Sequence, residues 1–378
     1  MKKLAILGTR GIPARYGGFE TFAEQLATRL AARGVDVTVF CPSASPKISE
    51  TYRGVTLRFE PFPDLGKYSE MVWDGRCFCT ARRGYDVVYM LGLGGAYAAW
   101  VPRLFGAEVW VNTDGVEWKR TKFNWPQRTY LALAEALSVL FATRVIADSG
   151  AIATYLRQRY PGLRRVSTIA YGADIPAVMP NETLIREWGL ESKGYYIVVC
   201  RLEPENHVLE IVEGFEQSNS PLPLVILGNI ENPNAYVRAL LAHNGDRIRF
   251  LGTVYDKEKL AALRFCARAY MHGHSVGGTN PSLLEAMACS NLVIAHDNRF
   301  NREVIETSGL FFKTRADLAG HVDAIDGAQV DGQMLAKQAR ERIRARYEWD
   351  QIADSYLELL ARDHRVTSGD DFTPRQLR

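Results

Sequence analysis

Hydrophobic positions along the chain alternate between short apolar runs and longer stretches of helical period. In the first half, the runs at 3–7, 35–40, 55–59, 86–91, 108–111, 144–147 and 166–169 read as buried strands. Between them apolar residues recur every three to four positions, as Phe22, Leu26 and Leu30 do before Gly34. That period predicts helices over 21–33, 96–105, 127–142 and 151–159. It loosens over 177–193, where Pro176 and Pro180 mark a linker. A second series of runs then follows at 195–200, 222–227, 248–251, 267–271, 292–295 and 310–312, with helices between. Two more helices lie beyond Gln329, the second around 349–361.

Strands alternating with crossover helices predict parallel sheets. The expected architecture is α/β: two doubly wound Rossmann-like domains facing a central cleft, where a ligand would sit at the strand ends. The expected boundaries are 1–176 and 177–345, then a helix at 346–362 packing back on the first domain and a flexible tail at 363–378.

Composition adds a charge asymmetry. The 378 residues are 47% hydrophobic, ample for two cores, and carry a net charge of +3. Residues 1–180 hold 23 Lys and Arg against 15 Asp and Glu, while the remainder holds 23 against 28. A basic first half suits an anionic partner, such as a membrane surface or a phosphorylated acceptor. No basic helix or nucleic-acid-binding module is present in the sequence, so nucleic acid is not expected as a partner. Cys41, Cys77, Cys79, Cys200, Cys266 and Cys289 show no zinc-ligand spacing and suit a reducing compartment. With a strand beginning at residue 3 and no apolar run of spanning length, the expectation is a cytoplasmic protein, at most peripheral on the inner membrane face.

The most informative chemistry lies at 272–288, where an apolar run feeds a loop of small residues that opens into a helix at Pro281. Gly277, Gly278 and Thr279 would let a phosphate approach the backbone, and the helix start at Asn280, Pro281 and Ser282 would offer N–H groups and a positive dipole end. Glu285, one turn in, would reach a ribose or sugar hydroxyl beside the phosphates. A plain buried glycine turn is the alternative. His272 and His274 have neither a third ligand nor a D-x-D motif beside them, so no metal is expected, and His274 suits positioning of the donor sugar.

A second glycine loop, Gly8 to Glu20, follows the first strand and opens a helix, again an anion-binding arrangement. It lacks G-x-G-x-x-G, and the next strand ends in Cys41-Pro42 rather than an acidic residue, which disfavours a nicotinamide-dependent dehydrogenase. Asp114 and Glu117 follow the run at 108–111. Either carboxylate would orient an acceptor hydroxyl or take its proton, or else Asp114 caps a helix and Glu117 is solvated. Asp148-Ser149 reads as a helix cap. The stretch 118–128 gathers Trp118, Lys119, Arg120, Lys122, Phe123, Trp125 and Arg128, which marks either a membrane-facing edge or a solvated loop anchored by its tryptophans.

Four segments in order, Gly8–Glu20, Asn112–Arg120, Arg201–Asn206 and His272–Ala288, resemble bacterial glycosyltransferases of family four, with the two-domain GT-B fold. The likeness runs over 1–362 and leans toward the rhamnosyltransferase-type subgroup of capsule and exopolysaccharide assembly. The resemblance implies a nucleotide-diphosphate sugar donor on the second domain and a polyprenyl-diphosphate-linked saccharide acceptor on the first. It also implies retention of anomeric configuration and no cofactor. Arg201 matches a basic residue that contacts the donor diphosphate, with Asn206, His274, Gly277, Gly278, Thr279, Asn280, Ser282 and Glu285 around it. Arg10, Gly11, Arg15, Gly17, Gly18 and Glu20 would form the acceptor loop. Three positions depart from the wider family: Asn206 stands for a lysine, Gly277 for a glutamate and Asn112 near a histidine. A nucleotide-sugar 2-epimerase and a non-catalytic sugar-nucleotide-binding subunit are the competing readings.

Overall fold

The computed structural model describes residues 1–362, apart from 15–16, 45–48, 116–117, 119–123, 164 and 179. The chain divides into two compact units, the first made of 1–171 and the segment from 349 onward, the second of 172–348. The first crossing thus falls five residues before the expected one, and the return falls three residues after.

The first unit runs β1 (Lys3–Leu7), α1 (Gly18–Ala32), β2 (Asp36–Ser43), β3 (Glu50–Tyr52), β4 (Val55–Pro61), α2 (Ser69–Thr80), β5 (Val87–Leu91), β6 (Glu108–Asn112), α3 (Trp125–Phe141), β7 (Arg144–Ala147), α4 (Gly150–Arg159) and β8 (Val166–Thr168). Its sheet has the order β3-β4-β2-β1-β5-β6-β7-β8, parallel except for the β3–β4 pair. The order reverses at β1, so the loops after β1 and β5 stand in the position where doubly wound sheets take ligands. Gly8 follows β1 with φ of 80°, and a Cβ there would lie 2.0 Å from the Leu91 carbonyl oxygen, so only glycine fits.

The second unit runs β9 (Tyr196–Val199), α5 (Val208–Gln217), β10 (Leu224–Leu227), α6 (Ala235–Leu241), β11 (Ile248–Gly252), α7 (Lys257–Phe265), β12 (Ala269–His272), α8 (Pro281–Ala288), β13 (Val293–His296), α9 (Arg299–Ile305), β14 (Leu310–Phe312), α10 (Arg315–Asp326) and α11 (Gly332–Arg346). Its six strands are all parallel, in the order β11-β10-β9-β12-β13-β14, and the reversal falls between β9 and β12. The two central strands are buried end to end apart from Val199, as both-face-covered parallel strands must be.

The last helix, α12 (Trp349–Ala361), returns to the first unit. Trp349 and Tyr356 pack on Phe22 at 5.9 and 6.0 Å between ring centroids, and the Tyr356 and Tyr89 hydroxyls are 2.8 Å apart. Arg33 also pairs with Asp350 and Asp354 at 2.9 Å, but those carboxylates are more than half exposed. Such exposed pairs are worth about 0–1 kcal/mol, against roughly 1.5–3 kcal/mol for each large apolar side chain buried, so the aromatic contacts hold the helix.

Three local expectations are corrected. The helix expected over 96–105 is two 3-10 turns, Ala96–Ala98 and Pro102–Phe105, because Pro102 has no N–H to continue a helix and Gly106 ends the second turn with φ of 89°. Helix α2 and the β3 edge strand lie where no element was expected. Helix α3 begins two residues early, since Asn124 and Gln127 form a reciprocal capping box with Pro126 in the first turn.

Candidate functional site

The reversal in the second unit brings the loop after β9 against the loop after β12. Gly273 leads the second loop, and a Cβ on it would lie 2.0 Å from the Asn206 carbonyl oxygen of the first. Asn206 itself is buried and acts as a tie. Its Nδ2 donates to the Arg201 carbonyl at 2.6 Å, and its Oδ1 lies 2.5 Å from His274 Nδ1. The Arg201 backbone is thereby fixed, while its exposed side chain has no protein partner among the described residues. His274 is pinned from the other side, its carbonyl accepting from Asn298 and Asn301 at 3.0 Å each.

Helix α8 differs from expectation in one respect. Its first N–H groups are already used: Ser282 donates to Asn280 Oδ1 at 3.0 Å, and Leu283 and Leu284 donate to the Asn280 carbonyl. Ser282 Oγ turns away to the Val199 carbonyl at 2.6 Å, beside the Tyr270 hydroxyl, so this side chain locks the helix to β9 instead of facing a ligand. The open donors lie just before the helix. Gly277 and Gly278 are buried, and their amides have no protein acceptor among the described residues. Buried N–H groups are rarely left unpaired, and such a pair ahead of a helix start suits an anionic oxygen. Gly277 adopts φ of 121°, a conformation that no larger residue takes without strain. Thr279 is buried beside them.

Glu285 is also differently placed from expectation. Its Oε2 is 2.6 Å from the guanidinium of Arg264, which lies almost wholly buried on α7. Burial presses that guanidinium toward neutrality, and the Glu285 carboxylate, with Tyr270 and Cys289, more than offsets this, so the charged form is held. The carboxylate is therefore neutralised from below and only partly exposed. Arg264 carries no signal in the sequence, because it is one basic residue among several on an amphipathic helix.

Histidines cluster beside the loop. His207 and His296 stack at 4.3 Å, and His207 Nε2 lies 3.0 Å from Ser275 Oγ. His272 is buried with Nε2 unpartnered, and burial, with His296 nearby, pushes its pKa down to about 3, so the ring is neutral. Its ring is 6.0 Å from that of His274. Among the described residues no group of three His, Cys, Asp or Glu side chains has a metal-holding arrangement.

In the first unit the loop after β1 is built differently. The amide of Arg10 donates to Glu20 at 2.8 Å, that of Gly11 to Thr9 Oγ1 at 2.9 Å and that of Ala14 to Glu24 at 2.8 Å. Gly17 caps α1 with φ of 87° over the Glu20 carboxylate, and Gly18 starts the helix. The expected anion site is thus filled by the protein's own carboxylates, and Glu20 supports the loop instead of meeting an acceptor. The Arg10 guanidinium pairs with Glu70 at 2.6 Å on the surface. Arg15 and Glu117 lie outside the described residues.

Asp114 takes φ of 57°, its amide donating to the side chain of buried Asn112 at 2.8 Å. It caps no described helix; the cap of α4 is Ser149, which accepts from the Ile152 amide at 3.2 Å. Burial pushes the Tyr171 phenol well above its ordinary range, and the Asp114 and Asp148 carboxylates add to this. In the stretch 118–128, Trp118 donates to the Tyr155 hydroxyl at 3.1 Å and Arg159 lies over its ring, so this tryptophan is anchored to the unit. Lys119, Arg120, Lys122 and Phe123 lie outside the described residues.

Comparison with known proteins agrees with this layout. Residues 180–345 match the family model "Glycosyl transferases group 1", and residues 1–174 match a "Domain of unknown function (DUF1972)". No curated relative matches the chain by sequence. Among solved structures, sucrose-phosphate synthase from Thermosynechococcus elongatus superposes with a TM-score of 0.82 at 20% identity, covering 95% of this chain and 98% of that one. HepE from Anabaena, in complex with UDP, gives 0.73 at 18% identity over 96% and 100%. A UDP-forming α,α-trehalose-phosphate synthase from Burkholderia vietnamiensis gives 0.70 at 13% identity over 95% and 99%. These likenesses show the fold, two Rossmann-like domains of the GT-B class. By these matches residues 180–345 are similar to group 1 glycosyltransferase domains, and residues 1–174 to DUF1972.

Proposed function

We propose that the chain transfers a sugar from a nucleotide-diphosphate donor to a polyprenyl-diphosphate-linked saccharide, in surface polysaccharide biosynthesis at the inner face of the cytoplasmic membrane. The observation that carries the donor half is the pair of buried glycine amides, Gly277 and Gly278, in the loop that Asn206 ties to the backbone of Arg201. In the transfer the bond from the anomeric carbon to the diphosphate breaks and a bond to the acceptor oxygen forms. Negative charge grows on the departing diphosphate, and fixed N–H donors and a guanidinium stabilise it there without reorganisation. That donor set is sufficient for a metal-independent reaction with no cofactor. HepE, solved with UDP-glucose, supports a sugar nucleotide as the donor class.

Asp114, at the end of β6 in the first unit, is the residue we assign to orient the acceptor hydroxyl and receive its proton. Rhamnose as the sugar, retention at the anomeric carbon and the polysaccharide role rest on the sequence resemblance to family four. The test is a panel of nucleotide sugars offered to purified protein, with released nucleotide and product scored with and without a lipid-linked acceptor. Acceptor-dependent release of nucleotide from a nucleotide-diphosphate deoxyhexose is the expected result. Conversion of the donor without acceptor would instead mark an epimerase, and binding without turnover a non-catalytic subunit.

A further inference from the structure

Fifteen large hydrophobic side chains stand exposed among the described residues, and eight of them fall in just two segments of the first unit, 94–105 and 124–141. Trp100, Leu104 and Phe105 belong to the segment of 3-10 turns, and Trp125, Leu133 and Leu140 to α3. Leu104 is 70% exposed, Trp125 79% and Leu140 67%, too open for residues that merely edge a core.

The two segments form one surface. Tyr130 donates to the Gly94 carbonyl at 3.3 Å, and Arg103 donates to the Phe141 carbonyl at 2.9 Å, so they run side by side. Leu93, Ala96 and Ala134 make a small buried seam between them. A contiguous apolar surface of this kind marks an interaction site.

Charge selects the partner. Glu135 is the one acidic residue in these two segments; it is 1% exposed and held by Arg159, Tyr155 and Tyr160. Arg103 and Arg128 are exposed, and Arg83 lies 4.6 Å over the Phe105 ring. A second copy of this chain placed on the same face by a two-fold axis would set arginine against arginine. An anionic bilayer satisfies every feature at once: leucines enter the acyl boundary, Trp and Tyr sit at headgroup level, and arginines meet lipid phosphate.

We propose that this face, α3 with the 94–105 segment, is where the protein docks on an anionic lipid bilayer, with α3 lying in the plane of the interface. The proposal rests on the transferase reading only in that a lipid-linked acceptor would bring the enzyme to that surface. It deepens the sequence expectation by extending the contact from the stretch 118–128, which holds Trp125 and Arg128, along an apolar helix face.

The test is flotation of the full chain with vesicles of phosphatidylcholine alone and of phosphatidylcholine with phosphatidylglycerol. The wild type should float with the anionic vesicles. The triple variant Leu104→Glu, Leu133→Glu, Leu140→Glu should lose at least tenfold in binding, with its circular dichroism unchanged. Arg103→Gln and Arg128→Gln should each weaken binding by about fivefold. Trp125→Ala, a milder change at an open site, should also reduce it, and tryptophan fluorescence of the wild type should be quenched by brominated lipid. Failure of the wild type to float, or equal flotation of the triple variant, overturns the proposal. So does a wild-type dimer that the triple variant dissociates, since a second copy would then cover the face. Flotation needs no turnover, so a protein that floats but transfers no sugar would sink the transferase reading and leave this one standing.

Discussion

The loop after β1 and the loop after β12 share a local plan of strand, glycine loop and helix, yet the protein uses them oppositely. In the first unit, Glu20, Glu24 and Thr9 consume the amides of Arg10, Ala14 and Gly11, and Glu70 takes the Arg10 guanidinium. In the second, the amides of Gly277 and Gly278 and the side chain of Arg201 have no protein partner among the described residues, and the nearby Glu285 is neutralised by buried Arg264. One loop carries its own anions and the other is left needing one. A glycine loop before a helix is therefore a scaffold for an anion, and the surrounding carboxylates decide whether a ligand supplies it.

The largest effect expected from breaking this contrast is at Arg201. Arg201→Ala should lower turnover by roughly 10²- to 10³-fold, the scale of losing one charge-stabilising donor at a leaving group. Steady-state nucleotide release with a circular dichroism control measures it; turnover within threefold of wild type would remove Arg201 from the site.

Next comes the buried pair beneath the loop. Glu285→Ala should destabilise the protein by about 2 kcal/mol as well as weaken donor use, because it strands the Arg264 charge in the core. The double variant Arg264→Met, Glu285→Leu should recover most of the stability and none of the donor affinity. Urea unfolding and donor binding separate the two; a single variant as stable as wild type would mean that the pair contributes little.

His272 gives a pH-dependent test. Its folded pKa of about 3 lies below the ordinary unfolded value near 6.5, so the unfolded chain binds the extra proton and stability falls as pH drops from about 6.5 toward 3. At pH 5 the loss from this group is about 2 kcal/mol. His272→Phe should flatten that acid limb in urea midpoints taken between pH 7.5 and 5, and an unchanged slope would assign the titration elsewhere.

The smallest expected effect sharpens the first-unit side. Glu20→Ala should cost about 1 kcal/mol of stability through the lost acceptor for the Arg10 amide, with donor KM unaltered. A donor KM raised tenfold would mean that this loop, too, meets the nucleotide sugar.

Most strands were legible because a strand buried on both faces needs an apolar run, and 4–7, 195–200 and 269–271 are such runs. Helix α2 was not, because Ser69–Thr80 mixes Ser69, Asp74, Gly75 and Cys77 into its buried face. The 96–105 segment misled in the other direction, since its small and apolar residues have helical period but Pro102 interrupts the hydrogen bonding. In the candidate site, the glycines and Arg201 stood out in the sequence. Arg264, Asn298 and Asn301 did not, because each acts on a residue at least 21 positions away.

The sequence by itself determined two doubly wound α/β units, the glycine loops at their strand ends and the residue types able to hold a diphosphate. Those are consequences of hydrophobic period and backbone freedom, which are local properties of the chain. The tertiary structure alone decided which amides stay open, that Ser282 faces the sheet, that Glu285 is paired and that the apolar side of α3 is left uncovered. Each of these depends on which distant side chain arrives to satisfy a polar group or cover an apolar one, and no short-range pattern encodes that arrival.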